Sequence, residues 1–281
     1  MEKLVIKEVS PRDGLQIVKP VSLDVREQFI RMLIEANINH IEIGSFVNEK
    51  KVPQMAKTKE LIIRLQDVMD KRHLFALIFT STKMKEVIES KLSEISVIIS
   101  ASETFNQKNL NCSKAEAVKR AQDIMAIAKG NAIKVRAYVA MAFGCPYEGE
   151  VACKKVIDIA QTYLNLQVDE LVFADTIGYG TPTKIKEVLV EAKKICSEKI
   201  IGMHLHDTKG MAEKNTLEAL DLGVRIFDSS VGGLGGCPFA KGAKGNISTE
   251  SMLDIAGRLG FSTGIDREKL NIARNYIFDQ L

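Results

Sequence analysis

Leu4-Val5-Ile6-Lys7-Glu8-Val9-Ser10-Pro11-Arg12-Asp13-Gly14-Leu15-Gln16 begins as an apolar, β-branched run and breaks into charged and turn residues. The first half favours a strand, and the Ser-Pro-Arg-Asp-Gly that follows favours a turn at the strand's C-terminal end. The same grammar repeats. Short apolar runs recur at 40–43, 74–79, 95–100, 133–140, 170–174, 200–206 and 225–229, which with 4–9 makes eight. Between them lie longer segments with helical spacing. Residues 23–37 place Phe29, Ile30, Leu33 and Ile34 on one stripe and Arg26, Glu27, Arg31 and Glu35 off it. Ser113 with Glu116 forms a capping-box pattern before 117–128, and Thr181-Pro182 supplies a cap and a first-turn proline before 185–195. Segments 214–222 and 249–259 read as the last two crossovers.

Eight strands alternating with helices imply parallel pairing, because each crossover must return the chain to the same end of the sheet. Eight is also the number that closes a (β/α)8 TIM barrel, a fold of about 250 residues. The chain has 281, and no linker or low-complexity segment divides it. The expectation is α/β: one catalytic TIM-barrel domain over 1–281 with short C-terminal helical additions. An open doubly wound sheet is the competing architecture. Hydrophobic residues at 46% suffice for a large core, and a formal charge of +3 gives no footprint for nucleic acid or an anionic membrane. No apolar run reaches the roughly 18 residues of a membrane span.

The unusual polar residues fall at strand ends, where ligands bind in parallel α/β proteins. They are Arg12, Asp13 and Gln16 after the first strand, Glu42 and Ser45 at the second, Arg136 on the fifth and Asp175 after the sixth. The seventh carries His204 and His206, and the eighth is followed by Gly232-Gly233-Leu234-Gly235-Gly236-Cys237-Pro238. Residues i and i+2 of a strand share a face, so the two imidazoles form a metal half-site; taken alone, His-x-His is as readily one core and one surface histidine. Asp13 and Asn246 in the same barrel mouth would add two oxygens to the two nitrogens. That mixture suits Mg²⁺ or Mn²⁺, although zinc or non-haem iron also takes two histidines and an aspartate. The glycine-rich segment matches neither nucleotide-loop pattern and reads as a lid beyond the eighth strand, with Cys237 at its far end as a functional or a packing thiol. Arg12 and Arg136 are either surface ion-pair partners or groups that hold a carboxylate or enolate oxygen.

The five cysteines are odd in number and contain no Cys-x-x-Cys pair, so reduced thiols and a cytoplasmic location are expected. The N-terminus lacks the succession of basic, apolar and small residues found in a signal peptide.

These stretches, with Ala142-Phe143-Gly144-Cys145-Pro146-Tyr147-Glu148-Gly149, Asp175-Thr176-Ile177-Gly178 and His204-Leu205-His206-Asp207-Thr208, resemble the hydroxymethylglutaryl-CoA lyases over nearly the whole chain. The Arg-Asp-Gly and His-x-His-Asp elements are shared with a wider group of metal-dependent barrels, including isopropylmalate and homocitrate synthases. The Gly-Leu-Gly-Gly-Cys-Pro loop is more specific to the lyases. The resemblance implies a TIM barrel that cleaves 3-hydroxy-3-methylglutaryl-CoA to acetyl-CoA and acetoacetate, in leucine degradation and ketone-body formation. It implies a divalent cation, Mg²⁺ or Mn²⁺, on Asp13, His204, His206 and Asn246. Arg12 falls on the enolate-stabilising position, Cys237 on the lid thiol, and His204 on a further acid–base role. Glu42 and Asp175 fall on catalytic positions, and Gln16, Ser45 and Arg136 on substrate-binding ones. An acyl-CoA substrate and a homodimer or other homo-oligomer are expected, with no nucleic-acid or membrane partner. Ser10 stands where the family usually has glycine, and Lys241 and Lys244 make the lid more basic; neither change removes a ligand.

The nearest alternative is a Claisen condensing transferase that joins acetyl-CoA to a 2-oxo acid on the same scaffold. It often carries a regulatory extension, for which little room is expected after the last barrel helix. A catalytically silent barrel would have lost a ligand, and none is lost.

Overall fold

The computed structural model describes residues 1–69, 71–236 and 245–281. Eight strands, β1 (Val5–Glu8), β2 (His40–Phe46), β3 (His73–Ile78), β4 (Glu94–Ser100), β5 (Lys134–Ala140), β6 (Glu170–Asp175), β7 (Ile201–Leu205) and β8 (Ile226–Ser229), pair in parallel in sequence order. The sheet closes on itself where Val5 faces Ile226 and Glu8 faces Ser229. The TIM barrel is therefore the architecture, and the open sheet is excluded. Seven strands begin and end within one residue of their expected positions. β2 runs three residues further, through a bulge between Glu42 and Gly44. A bulge adds a residue and resets which side chains face inward. Here Gly44 lies against Thr58 and Arg26 outside the barrel, while Glu42 bonds Ser96 across its interior.

Around the barrel run α1 (Leu23–Glu35), α2 (Thr58–Arg64), α3 (Met84–Glu89), α4 (Lys114–Gly130), α5 (Cys153–Asn165), α6 (Pro182–Ala192), α7 (Ala212–Asp221) and α8 (Thr249–Leu259). α1 buries Phe29, Ile30 and Leu33, the expected stripe. It stops two residues early, with Asn37 in the left-handed region. The Ser113–Glu116 capping box forms at α4, and Thr181 caps α6. Each such cap is worth about 1 kcal/mol. The C-terminal addition is α9 (Arg267–Phe278), capped by Asp266 and packed on α1. The main apolar core lies between strands and helices. Inside the barrel the apolar filling is Phe75, whose ring lies against Lys7 and Arg136, with Leu77, Tyr138, Val172, Ala174 and Ile98, and it is mixed with buried polar and charged side chains. Among the described residues no helix is long and apolar enough to cross a membrane.

Candidate metal and catalytic centre

The first strand does not end in a simple turn. Ser10–Gly14 winds as one π-helical turn in which the Val9 carbonyl accepts from the amides of Arg12, Asp13 and Gly14 at 3.1, 2.8 and 3.3 Å. Such single wide turns frequently sit at functional sites. This one stacks Arg12 and Asp13 over the barrel mouth. Gly14 is required by close approach, since a Cβ there would lie 2.9 Å from Leu234 Cβ. Glu8 fastens the turn to the loop after β8: its carboxylate accepts from the amides of Ser10 and Val231, both at 3.0 Å, and from Thr249 Oγ1 at 2.6 Å.

Asn246 reaches the mouth through backbone pairing. The amide of Asp207 bonds the Gly245 carbonyl at 2.7 Å and that of Ile247 bonds the Leu205 carbonyl at 2.9 Å, which sets Asn246 beside His206. Its Nδ2 donates to Asp13 Oδ2 at 2.8 Å and to the Leu234 carbonyl at 3.0 Å. Gly235 carries φ +99°, and a Cβ on it would meet Asn246 Nδ2 at 2.5 Å, so glycine is needed there on both counts.

The four expected ligands converge. His204 Nε2 and His206 Nε2 are 3.1 Å apart, and His206 Nε2 is 3.6 Å from Asp13 Oδ2. Asp13, His204 and His206 form a group whose ligand atoms all lie within 4.8 Å of one another. Burial works to raise the Asp13 pKa, but Arg12 and the two histidines outweigh it and hold the carboxylate well below its usual range. Burial lowers His206, against a smaller opposing pull from Asp13, and keeps its ring neutral. A neutral imidazole and an ionised carboxylate are the states a cation needs. Asn246 Oδ1 is buried with no partner. A buried acceptor without a donor costs about 1–3 kcal/mol, and turning the amide over, so that Oδ1 takes the place of the Nδ2 beside Asp13, would offer it to a cation at this cluster. The donor set of two nitrogens and two oxygens fits a divalent metal.

Arg12 sits against this cluster with its guanidinium shared between two carboxylates. Its Nε donates to Glu42 Oε2 at 2.7 Å, and its other nitrogens reach Glu42 Oε2 and Asp13 Oδ1 at 2.6 Å each. Ser96 Oγ donates to the other Glu42 oxygen at 2.6 Å, so Glu42, fully buried, is anchored through one oxygen and holds Arg12 with the other. Burial would lower the Arg12 pKa, but Glu42 and Asp13 push it up, and the charge is permanent.

Four expected residues make no side-chain hydrogen bond to Asp13, His204, His206 or Asn246 among the described bonds. Arg136 is the third residue of β5, deep in the barrel beneath the mouth. Its guanidinium is taken up by Glu170 at 2.5 Å, by Asp228 at 2.5 and 3.1 Å, and by the Tyr138 hydroxyl, which leaves no arm for substrate. Asp175 ends β6 one position out of phase with the inward-facing Ala174. Its oxygens accept from the amides of Tyr179 and Gly180 at 2.8 and 2.9 Å, and burial raises its pKa to about 6. It shapes the loop after β6. Gln16 is half-buried on the 3₁₀ turn Leu15–Ile17. Ser45 is buried near the end of β2 with an unpartnered hydroxyl. Cys237, Lys241 and Lys244 lie outside the described residues.

The sequence reading missed Asp228. Its Oδ2 lies 3.1 Å from His204 Nδ1, accepts from Tyr138 at 2.8 Å, and is flanked by Arg136. Burial works to raise its pKa, but Arg136 and His204 lower it, so it is ionised and fixes His204 in the tautomer with Nδ1 protonated and Nε2 free for the cluster. His204 then has both nitrogens assigned, which fits a ligand and leaves no proton to shuttle. The signal was present in Ile226-Phe227-Asp228-Ser229, an acid inside an apolar strand, which is stable only when paired. Asp228→Asn should weaken divalent-metal binding about 10- to 100-fold with the fold intact. Titration calorimetry beside circular dichroism checks this, and unchanged affinity would make Asp228 a packing residue only.

The HMGL-like family model matches residues 3–277. The mitochondrial hydroxymethylglutaryl-CoA lyase of Rattus norvegicus is 40% identical over 282 residues, covering 100% of this chain and 86% of that protein. A crystal structure of the HMG-CoA lyase from Brucella melitensis superposes with a TM-score of 0.96 at 35% identity, covering 99% of both chains. An HMG-CoA lyase from Acinetobacter baumannii in complex with coenzyme A and 3-methylmalate superposes at 0.91 with 33% identity, covering 99% of this chain and 91% of that one.

Proposed function

Because the chain belongs to the HMGL-like family, we propose that it cleaves 3-hydroxy-3-methylglutaryl-CoA to acetyl-CoA and acetoacetate. The observation that carries this is the convergence of Asp13, His204, His206 and Asn246 beside the buried Arg12–Glu42 pair at the barrel mouth. The condensing-transferase alternative is not favoured, since the relatives and the close structures are lyases.

The substrate is a tertiary alcohol, so cleavage must break a carbon–carbon bond. A divalent cation, for which we favour Mg²⁺ or Mn²⁺, would be held by Asp13, His204, His206 and Asn246 and would supply Lewis-acid polarisation of the substrate's hydroxyl and carboxylate oxygens. Loss of the hydroxyl proton sends its electrons into the new ketone and the bonding pair into the thioester, whose oxygen becomes an enolate. Arg12 places a fixed positive charge for that oxygen, and Glu42 and Ser96 keep the guanidinium from swinging away. Cys237, by its place in the glycine-rich segment, returns a proton to the enolate carbon. Ser45 and Gln16 are assigned to substrate contact. Arg136 acts through Asp228 on His204 instead of on the substrate.

A coupled assay with a panel of hydroxyacyl-CoA thioesters tests the reading. Acetoacetate from the methylglutaryl thioester supports it, whereas release of free CoA from acetyl-CoA plus a 2-oxo acid would favour the transferase. Metal affinity should fall as pH falls, because both imidazoles must be neutral to bind, with burial holding the His206 pKa below its ordinary value and so opposing its protonation. A calorimetric series across pH checks this; weakening that begins well above pH 7 would contradict it. A cytoplasmic enzyme and a homo-oligomer complete the proposal, and sedimentation settles the second.

A further inference from the structure

The opposite end of the barrel carries another cluster. His40, His73 and Glu94 are the first residues of β2, β3 and β4, and they bring ligand atoms to within 4.8 Å of one another. His40 and His73 face each other in register and stack, with ring centroids 4.5 Å apart and planes 8° from parallel. His40 Nδ1 is buried with no hydrogen-bond partner, while His73 is exposed to solvent. Burial and the nearby Lys7 push the His40 pKa down to about 3, so its ring is neutral at any working pH. Glu94 accepts from Lys7 at 3.1 Å, and Lys7 also meets Glu170 at 2.8 Å. Through Arg136 this floor continues to Asp228.

We propose that the barrel floor is a second metal site, in which His40, His73 and Glu94 take a borderline divalent cation of the Zn²⁺ type. Two neutral imidazoles and one carboxylate make a donor set that zinc accepts and that Mg²⁺, which prefers oxygen, does not. The buried, unpartnered His40 Nδ1 gains a partner when a cation binds. The stacked rings present their lone pairs side by side, so binding turns His73, the exposed ring, about its side-chain torsions until both nitrogens converge. The open side of His73 is the path of entry and leaves a further position for water.

The test is equilibrium dialysis of the full chain, first stripped by a chelator, against Zn²⁺, for the wild type, His73→Asn and His206→Ala. His73 is exposed, so its substitution spares the core. The wild type should bind zinc at both ends of the barrel. His73→Asn should lose the floor equivalent and keep the mouth one, and His206→Ala should do the reverse. The Co²⁺-substituted His206→Ala protein should show a ligand-field spectrum that disappears when His73→Asn is added. Lyase turnover of His73→Asn with Mg²⁺ should equal that of the wild type. A floor equivalent without a mouth equivalent would support this site and count against the mouth ligands. Equal zinc content in wild type and His73→Asn would overturn the proposal, as would a single equivalent abolished by His206→Ala.

Discussion

Arg12→Gln is expected to lower kcat and kcat/KM together by about 10²–10³-fold with KM nearly unchanged. The guanidinium is buried, permanently charged and clamped by Glu42 and Asp13, so it is in position before the reaction begins. A group fixed in this way stabilises charge that exists only in the transition state and adds little to binding of the neutral thioester. Glutamine keeps a donor but removes the charge, and leaves Glu42, fully buried, without its cation. Arg12→Lys serves as the contrast: it restores charge without the fork that reaches both carboxylates, and should recover only part of the loss. Steady-state kinetics beside far-UV circular dichroism make the measurement. A rise in KM alone would make Arg12 a substrate anchor.

Cys237→Ala should reduce kcat by about 10²–10⁴-fold, the usual effect of losing a general acid or base. Metal affinity should not change, because Asp13, His204, His206 and Asn246 remain in place. Two other thiols, Cys112 and Cys145, are buried, and Cys153 and Cys196 are half-buried. Burial raises the pKa of Cys112, Cys153 and Cys196, which slows their alkylation. An alkylating reagent should therefore inactivate the enzyme through Cys237, and bound substrate should protect it. Peptide mapping identifies the labelled thiol. Label on Cys237 with turnover intact would reduce it to loop packing.

The barrel was legible because strand and helix periods differ. Runs such as 95–100 and 133–140 are short, apolar and rich in β-branched residues, and the Ser113 and Thr181 caps mark where helices begin. The strand-end position of Asp13 and the i, i+2 spacing of His204 and His206 pointed to the cluster that these three side chains form at the mouth. Two kinds of feature were hidden. The π-turn over Ser10–Gly14 has no periodicity of its own, since it depends on one carbonyl, Val9, taking three amides. Depth within the barrel depends on register between strands, which a single sequence does not carry. Arg136 pairs with Ser96 and Glu170 near the floor, so it supports the site from below. Asp175 differs from a mouth residue by one step of strand alternation: Ala174, opposite His204, faces in, and Asp175 turns to its own loop. Asp228 carried a signal as an acid inside an apolar strand, but its place opposite His204 depends on that same register.

The central claim is that the mouth cluster holds the metal that cleavage requires. Its most direct test is turnover of 3-hydroxy-3-methylglutaryl-CoA by chelator-stripped protein before and after Mg²⁺ or Mn²⁺ is restored, run in parallel on Asp13→Asn. The account predicts no acetoacetate from the stripped enzyme, recovery on adding either ion, and little recovery in Asp13→Asn. Full turnover by the metal-free wild type would contradict it.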